Sequence, residues 1–312
     1  MPAKWTIGID IGRTNLRAAR VEGGVPVKVL RERTDVPGGP RGVVEQVRSA
    51  VDELSEGEQA GGLGVGIAGQ CDILRGLVRY GPNLWWPDVP FGEMLSSATG
   101  LPAVLRNDVT MATFGEWRFG AGAGSTDMVC FYVGTGIGGG AIIGGHLLEG
   151  ASGCGGHLGH ISVQMDGPMC SCGRRGCVEA YAGGANLAAR VRQELADDPT
   201  ISTALRAAGD LDLIDARTVA GAAVDGDTYA LEVRDGMAEA LSSAVASTIN
   251  SLNPTVVVLG GPVMSGFPSL FEMVADRSLE LCLRSALDGL RIERPSLGDL
   301  AGVVGAATLA IR

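Results

Sequence analysis

The chain has 312 residues, 46% apolar and 19% charged, which at roughly 100–200 residues per domain is enough for about two domains with sizeable cores. That balance excludes a disordered chain, and a net charge of −10 argues against a general binder of nucleic acid or of anionic membranes, both of which need a basic surface. No apolar run reaches the ~18–20 residues of a membrane span, and the opening MPAKWTIGIDIG lacks the apolar stretch of a signal peptide, so a cytoplasmic protein is expected.

Taken in chain order, residues 5–12 (WTIGIDIG) alternate as a strand does, and Gly12-Arg13-Thr14 makes a tight turn. Residues 15–22 return as a second strand, and VPVKVLRE after Gly23-Gly24 forms a third. Pro40 and Arg41 open a helix whose Val43, Val44, Val47, Val51 and Leu54 recur at helical spacing. Residues 63–69 read as a buried strand ending in glycine. Residues 102–106 form another, which delivers Asn107 and Asp108 to its carboxyl end before a helix at about 109–119. The pattern then restarts. DMVCFYVG (127–134) is a strand, Thr135-Gly136 a turn, and 136–145 a returning strand. Helices follow near 178–195, 212–223, 226–251 and 268–285, with the strand TVVVLGG (255–261) among them. Two αβ halves that each open with a glycine-turned hairpin predict a duplicated α/β architecture. The expected domains are 1–120, completed by a C-terminal helix at 298–312, and 121–297.

Five constellations could carry chemistry. Asp10 at a strand end, with Gly12 and Thr14 behind it, suits a hydrated Mg²⁺ and phosphate oxygens, or else is a plain hairpin turn. Val133-Gly-Thr-Gly-Ile-Gly-Gly-Gly140 places five glycines after an apolar strand, so that backbone N–H groups can line an anion. It is neither a Walker A loop nor a dinucleotide fingerprint. Asp108 sits where a general base for a hydroxyl nucleophile would sit, and Asn107-Asp108 also suits a helix N-cap. His160 with Cys170, Cys172 and Cys177 makes a Cys₃His set suited to structural Zn²⁺. The remaining cysteines, Cys71, Cys130, Cys154 and Cys282, read as packing residues. Gly260-Gly261 after a β-branched strand could admit an adenine-ribose group.

DIGRT at 10–14, ND at 107–108, GTGIGGG at 134–140, GHLGH at 156–160, CSCGRRGC with Glu179, and LNPTVVVLGG at 252–261 occur in one order along nearly the whole chain. In these motifs the chain resembles the ROK family (repressor, open reading frame, kinase), on its sugar-kinase side. The resemblance implies an actin-like ATPase fold of two RNase-H-like αβ domains with a cleft between them, binding ATP, Mg²⁺ and a structural Zn²⁺. It implies that Asp10, Gly12, Arg13 and Thr14 form the first phosphate motif, with Asp10 near Mg²⁺ through water. Gly134, Thr135 and Gly136 form the second, and Gly260 and Gly261 face the adenosine. Asn107 and Glu179 bind sugar hydroxyls, with Gly69, Asn83, His157 and His160 as further sugar neighbours. Asp108 takes the proton from the primary hydroxyl. His160, Cys170, Cys172 and Cys177 hold the zinc.

Two positions depart from the pattern. The first motif usually reads DIGGT, and here position 13 is Arg. Glucokinase-like members usually carry Glu-x-x-His where this chain has His157-Leu158-Gly159-His160, and a neutral imidazole offers one bond at each ring nitrogen where a carboxylate accepts several. The GHxGH form resembles some bacterial N-acetylmannosamine kinases, as does the TDMV stretch at 126–129. The expected activity is therefore phosphorylation of the 6-hydroxyl of N-acetylmannosamine or a related non-glucose sugar, with glucose, another amino sugar or a cyclitol as alternatives. A non-catalytic sugar sensor or repressor-derived regulator is the alternative of another class. The family's repressors carry a helix-turn-helix ahead of the first phosphate motif, which here starts at residue 10. The expected partners are the sugar and ATP, in a homodimer, with no nucleic acid and no membrane.

Overall fold

In the computed structural model, which describes residues 5–81, 84 and 86–311, the chain divides into two units. The first holds residues 5–126, Gly140–Gly156 and 295–311; the second holds Asp127–Gly139 and His157–Arg294. The segment Gly140–Gly156 thus groups with the first unit and not with its neighbours in the chain.

The first stretch runs β1 (Thr6–Ile11), β2 (Asn15–Glu22), β3 (Val25–Arg33), α1 (Gly39–Ser55), β4 (Leu63–Ile67), β5 (Gln70–Asp72), β6 (Leu77–Gly81), β7 (Trp86–Val89), α2 (Phe91–Thr99), β8 (Ala103–Asn107) and α3 (Asp108–Phe119). It continues through β9 (Met128–Val133), β10 (Ile137–Ile143), β11 (His146–Leu147), α4 (Val178–Ala182), α5 (Gly184–Asp197), α6 (Ala216–Val224), α7 (Thr228–Leu252), β12 (Val256–Gly260), α8 (Pro262–Gly266), α9 (Leu270–Leu281), β13 (Arg291–Glu293) and α10 (Ala301–Leu309).

The sheet of the first unit has the order β3-β2-β1-β4-β8, antiparallel through β3, β2 and β1 and parallel through β1, β4 and β8. Ile7, Ile9 and Ile11 of β1 are fully buried, each such side chain stabilising the fold by about 1.5–3 kcal/mol. Val43, Val47, Val51 and Leu54 of α1 bury the face their spacing predicts. Helix α10 lies against β1, β4 and α3. Glycine permits that approach: a Cβ on Gly8 would stand 1.9 Å from the Val303 carbonyl oxygen, and one on Gly64 1.8 Å from that of Ala306. Between β4 and β8 lie a small sheet, β5-β6-β7, and helix α2, neither of which the sequence pattern predicts.

The second five-stranded sheet has the order β11-β10-β9-β12-β13. Counted along each sheet's own strands, both read third, second, first, fourth, fifth, the repetition that the two glycine-turned hairpins suggest. Strand β12 is buried throughout and pairs in parallel with β9 and β13. The helix predicted near 178–195 is two helices, α4 and α5, broken at Gly183, where the chain is extended (φ −66, ψ 126). The helix predicted from 212 starts only at Ala216, because the Asp215 side chain accepts from Thr218 N in a capping box. Among the described residues no helix is long and apolar enough to cross a membrane.

Candidate active site

In the first unit, β1 and β8 carry two carboxylates to the same end of the sheet. Asp10 precedes the last residue of β1, and Asp108 begins α3 directly after β8. Asn107 caps α3, its Oδ1 accepting from Val109 N at 3.0 Å and Thr110 N at 3.1 Å. Its Nδ2 donates to the Gly69 carbonyl at 3.1 Å and to Asp108 Oδ1 at 2.9 Å. Oδ1 also accepts from Thr110 Oγ1 at 3.4 Å, so both amide hydrogens and both acceptor lone pairs are engaged within the protein. Asn107 thereby fixes the Asp108 carboxylate, which also accepts from Val109 N at 2.9 Å through the same oxygen.

The Asp108 carboxylate perturbs Asp10. Burial, and next the Asp108 charge, push the Asp10 carboxyl up to about 7, against the pull of Arg17. Burial also pushes Asp108 up, while its bonds from Val109 and Asn107 favour the ionised form. Arg17 Nη1 lies 3.3 Å from Asp10 Oδ2, and its Nε lies 3.4 Å from Asp299 Oδ2. The glycine turn between β1 and β2 is closed by Gly12 N donating to the Asn15 carbonyl at 3.0 Å and by Thr34 Oγ1 donating to the Gly12 carbonyl at 2.7 Å. Arg13 and Thr14 are exposed. Arg13 is not among the residues of positive φ, so the turn accepts a side chain where glycine is usual without backbone strain.

In the second unit, the turn Gly134-Thr135-Gly136 joins β9 to β10. Its carbonyls are held by the start of α5: Gly184 N donates to Gly134 O at 2.8 Å and Ala185 N to Thr135 O at 2.9 Å. With the carbonyls tied back to the protein, the turn's outer face is left to its N–H groups and to the exposed Thr135 side chain. Gly261, at φ +99, packs on β9 so closely that a Cβ would stand 2.4 Å from the Val133 carbonyl oxygen. Beside this turn opens a cavity of about 750 Å³, within the usual range of small-molecule sites. Ala185, Ala188, Ala220, Val263 and Phe267 give it apolar walls, Thr135 lies at one side, and Arg192, Asp215 and Arg217 supply charge. It suits a flat apolar ring joined to an anionic tail.

His160 Nδ1 and the sulfurs of Cys170, Cys172 and Cys177 all lie within 4.8 Å of one another, with Cys172 and Cys177 Sγ 3.7 Å apart and Cys170 Sγ 3.8 Å from His160 Nδ1. Zn–S bonds of about 2.3 Å in a tetrahedron separate the sulfurs by roughly 3.8 Å, so the donor set fits that ion. Short hydrogen bonds shape the loop: Cys170 N donates to Arg174 O at 2.8 Å and Gly173 N to Cys170 O at 2.9 Å. Glu179 is buried beside it, its oxygens accepting from Ser171 Oγ, Cys170 Sγ and Ile137 N. His157 is half-buried. Burial first, and then the neighbouring His160, hold its pKa below the ordinary value, so the ring is neutral at pH 7.

The residues expected from sequence therefore fall into one cluster per unit. Asp10, Gly12, Gly69, Asn107 and Asp108 come together in the first, and Gly134, Thr135, Gly136, Gly260, Gly261, His157, His160 and Glu179 belong to the second. Asn83 lies outside the described residues. Sequence reading passed over Arg17 and the cavity walls. Arg17 was legible in principle, because the hairpin register sets it opposite Asp10. The walls were not, since Ala185, Ala220 and Phe267 come from three helices or their ends and carry no motif.

The ROK family model matches residues 6–312. A glucokinase of Thermotoga maritima is 36% identical over 311 residues, covering 99% of this chain and 98% of that protein. An N-acetylmannosamine kinase of Citrobacter koseri is 36% identical over 264 residues, 83% of each. A crystal structure of a ROK family glucokinase from Streptomyces griseus, in complex with glucose and AMPPNP, superposes with a TM-score of 0.79 at 34% identity, covering 98% of this chain and 99% of that one. The fold is that of the actin-like ATPases, as the repeated hairpin-led sheets suggest. The chain belongs to the ROK family, and within it to the sugar kinases.

Proposed function

We propose that the protein transfers the γ-phosphate of ATP to the primary 6-hydroxyl of N-acetylmannosamine or a related non-glucose sugar. Adenosine occupies the cavity between α5, α6 and α8, near Gly260 and Gly261, and the N–H groups of Thr135 and Gly136 receive the phosphates. Asp108 accepts the proton of the sugar hydroxyl as its oxygen attacks phosphorus. Gly12, Arg13 and Thr14 take the nucleotide's phosphates on the other unit. Asp10 holds Mg²⁺ through water, and the ion supplies charge neutralisation on the phosphates. His160, Cys170, Cys172 and Cys177 hold Zn²⁺, which keeps the loop bearing His160 in place for the sugar. Asn107 and Gly69, of the first unit, and His157, His160 and Glu179, of the second, are assigned to sugar binding. Asn107 acts chiefly by aiming Asp108, because its own hydrogen bonds are internal, and Glu179 retains lone pairs for a hydroxyl.

The observation that carries the catalytic reading is the Asp108 carboxylate, held at Oδ1 by Asn107 and Val109 at the carboxyl end of a parallel strand. The observation that carries the substrate is His157, a neutral imidazole in the place where glucokinase-like members have a carboxylate. Glucose is the second reading, favoured by the match to the Thermotoga glucokinase over 99% of the chain. The test is ADP release, coupled to a chromogenic readout, over a panel of glucose, mannose, N-acetylglucosamine and N-acetylmannosamine. Turnover strongest with N-acetylmannosamine supports the proposal. Turnover strongest with glucose replaces it by the second reading. Absence of turnover, with a sugar still raising the melting temperature, would return the protein to the non-catalytic class.

A further inference from the structure

Glu179 stands between two sites that sequence motifs treat as separate. It lies on α4 two positions after Cys177, and its side chain is buried. Oε1 accepts from Ser171 Oγ at 3.1 Å and from Cys170 Sγ at 3.5 Å, both in the cysteine loop. Oε2 accepts from Ile137 N at 2.8 Å, the residue that closes the Gly134-Thr135-Gly136 turn. Two glycines are needed for this passage: a Cβ on Gly136 would stand 2.5 Å from Oε2, and one on Gly183 2.8 Å from the Glu179 Cγ. One carboxylate therefore bridges the metal loop and the turn, with each oxygen given to a different partner.

We propose that Glu179 is a positioning residue that couples occupancy of the Cys/His site to nucleotide binding at the turn; this rests on the zinc and nucleotide assignments above. A loop containing Gly167, Gly173 and Gly176 is easily deformed, and four bonds to one ion fix it. The fixed loop sets the Ser171 hydroxyl, which sets Oε1; Cys170, a thiolate once it holds the ion, no longer donates to that oxygen. Oε2 then fixes the Ile137 N–H and, through it, the direction in which the Thr135 and Gly136 N–H groups point. Coupling between two binding sites is reciprocal, so the nucleotide must tighten zinc binding by the factor by which zinc tightens the nucleotide.

The experiment is an equilibrium competition for zinc between the zinc-loaded protein and the chromophoric chelator 4-(2-pyridylazo)resorcinol, with and without saturating ADP. ADP binding is followed separately by calorimetry. In the wild type, ADP is expected to raise zinc affinity about 5-fold or more. Glu179→Leu has no acceptor atom and satisfies neither side of the bridge, whereas Glu179→Gln can keep both, its Oε1 accepting from Ile137 N and its Nε2 donating to the Ser171 hydroxyl, and serves as the conservative control. In Glu179→Leu the ADP effect is expected to fall to about one, while zinc and ADP each still bind. Ser171→Ala, which removes one exposed hydroxyl from Oε1, is expected to give an intermediate factor, and carries the test if Glu179→Leu does not fold. A wild-type zinc affinity indifferent to bound ADP, or an undiminished ADP effect in Glu179→Leu, or in Ser171→Ala where Glu179→Leu does not fold, would overturn the proposal. If calorimetry finds no ADP binding at all, the nucleotide assignment fails, and the coupling with it.

Discussion

Replacing Asp10 by asparagine should change how stability depends on pH, by an amount that follows from the site's electrostatics. Burial and the nearby Asp108 raise the Asp10 carboxyl from its ordinary 3.8 to about 7 in the native protein. Between those values the native state holds a proton that the unfolded chain has released. Stability from this group is thus full below pH 4 and is lost as pH rises through about 7. Each tenfold in proton affinity is worth ~1.36 kcal/mol, so the loss amounts to about 4 kcal/mol at most. The amide in Asp10→Asn cannot titrate. The variant should therefore gain on the wild type by up to about 4 kcal/mol between pH 4 and pH 8, whatever constant offset the lost Arg17 pair adds. Trp5, Trp86 and Trp117 belong to the first unit, and no tryptophan follows Trp117 in the chain. Tryptophan fluorescence during urea unfolding therefore reports on the unit that holds Asp10. The measurement is made in magnesium-free buffer at several pH values. A gap between variant and wild type that stays constant from pH 4 to 8 would refute the raised carboxyl.

Four further outcomes are expected. Asp108→Asn should retain sugar binding and lose about 10²–10⁴ in kcat, and the wild-type kcat/KM should fall on acidification at a pH above the ordinary carboxylate range, because the base must be ionised; near wild-type turnover would remove Asp108 from the mechanism. Elemental analysis should find about one zinc per chain, with none retained after replacement of Cys170 and Cys177 by Ser. His157→Glu should shift the kcat/KM ratio toward glucose by about tenfold or more, the worth of one hydrogen bond to a charged acceptor, and an unchanged sugar profile would count against His157 as a reader of the sugar. Gly261→Ala should lower the melting temperature, through a loss of about 1–3 kcal/mol, because alanine is strained at φ +99 and its methyl meets the Val133 carbonyl.

The chemistry of this protein was largely legible in the chain because it is written in short, local signals. Asp10 beside a glycine turn, Asn107-Asp108 after a buried strand, and three cysteines within eight residues each need only a few neighbours to declare their use. Even so, the sequence offered Asn107 as a sugar ligand and a helix cap, and only the coordinates show that it caps α3 and also holds Asp108. The Arg at position 13 departs from a family pattern of glycine, and the backbone there has no positive φ that would require one.

Hydrophobic periodicity and the two glycine-turned hairpins determined the α/β class and the repetition of the sheet, since both depend on residues two to four positions apart. What packing alone decided involves residues far apart in the chain. The assignment of Gly140–Gly156 to the first unit, the seating of α10 on Gly8 and Gly64, the gathering of α5, α6 and α8 around a cavity, and the split loyalty of Glu179 are of this kind. A linear pattern records which face of an element is apolar; which distant backbone that face can approach depends on side-chain volumes meeting in three dimensions, and no spacing rule carries that information.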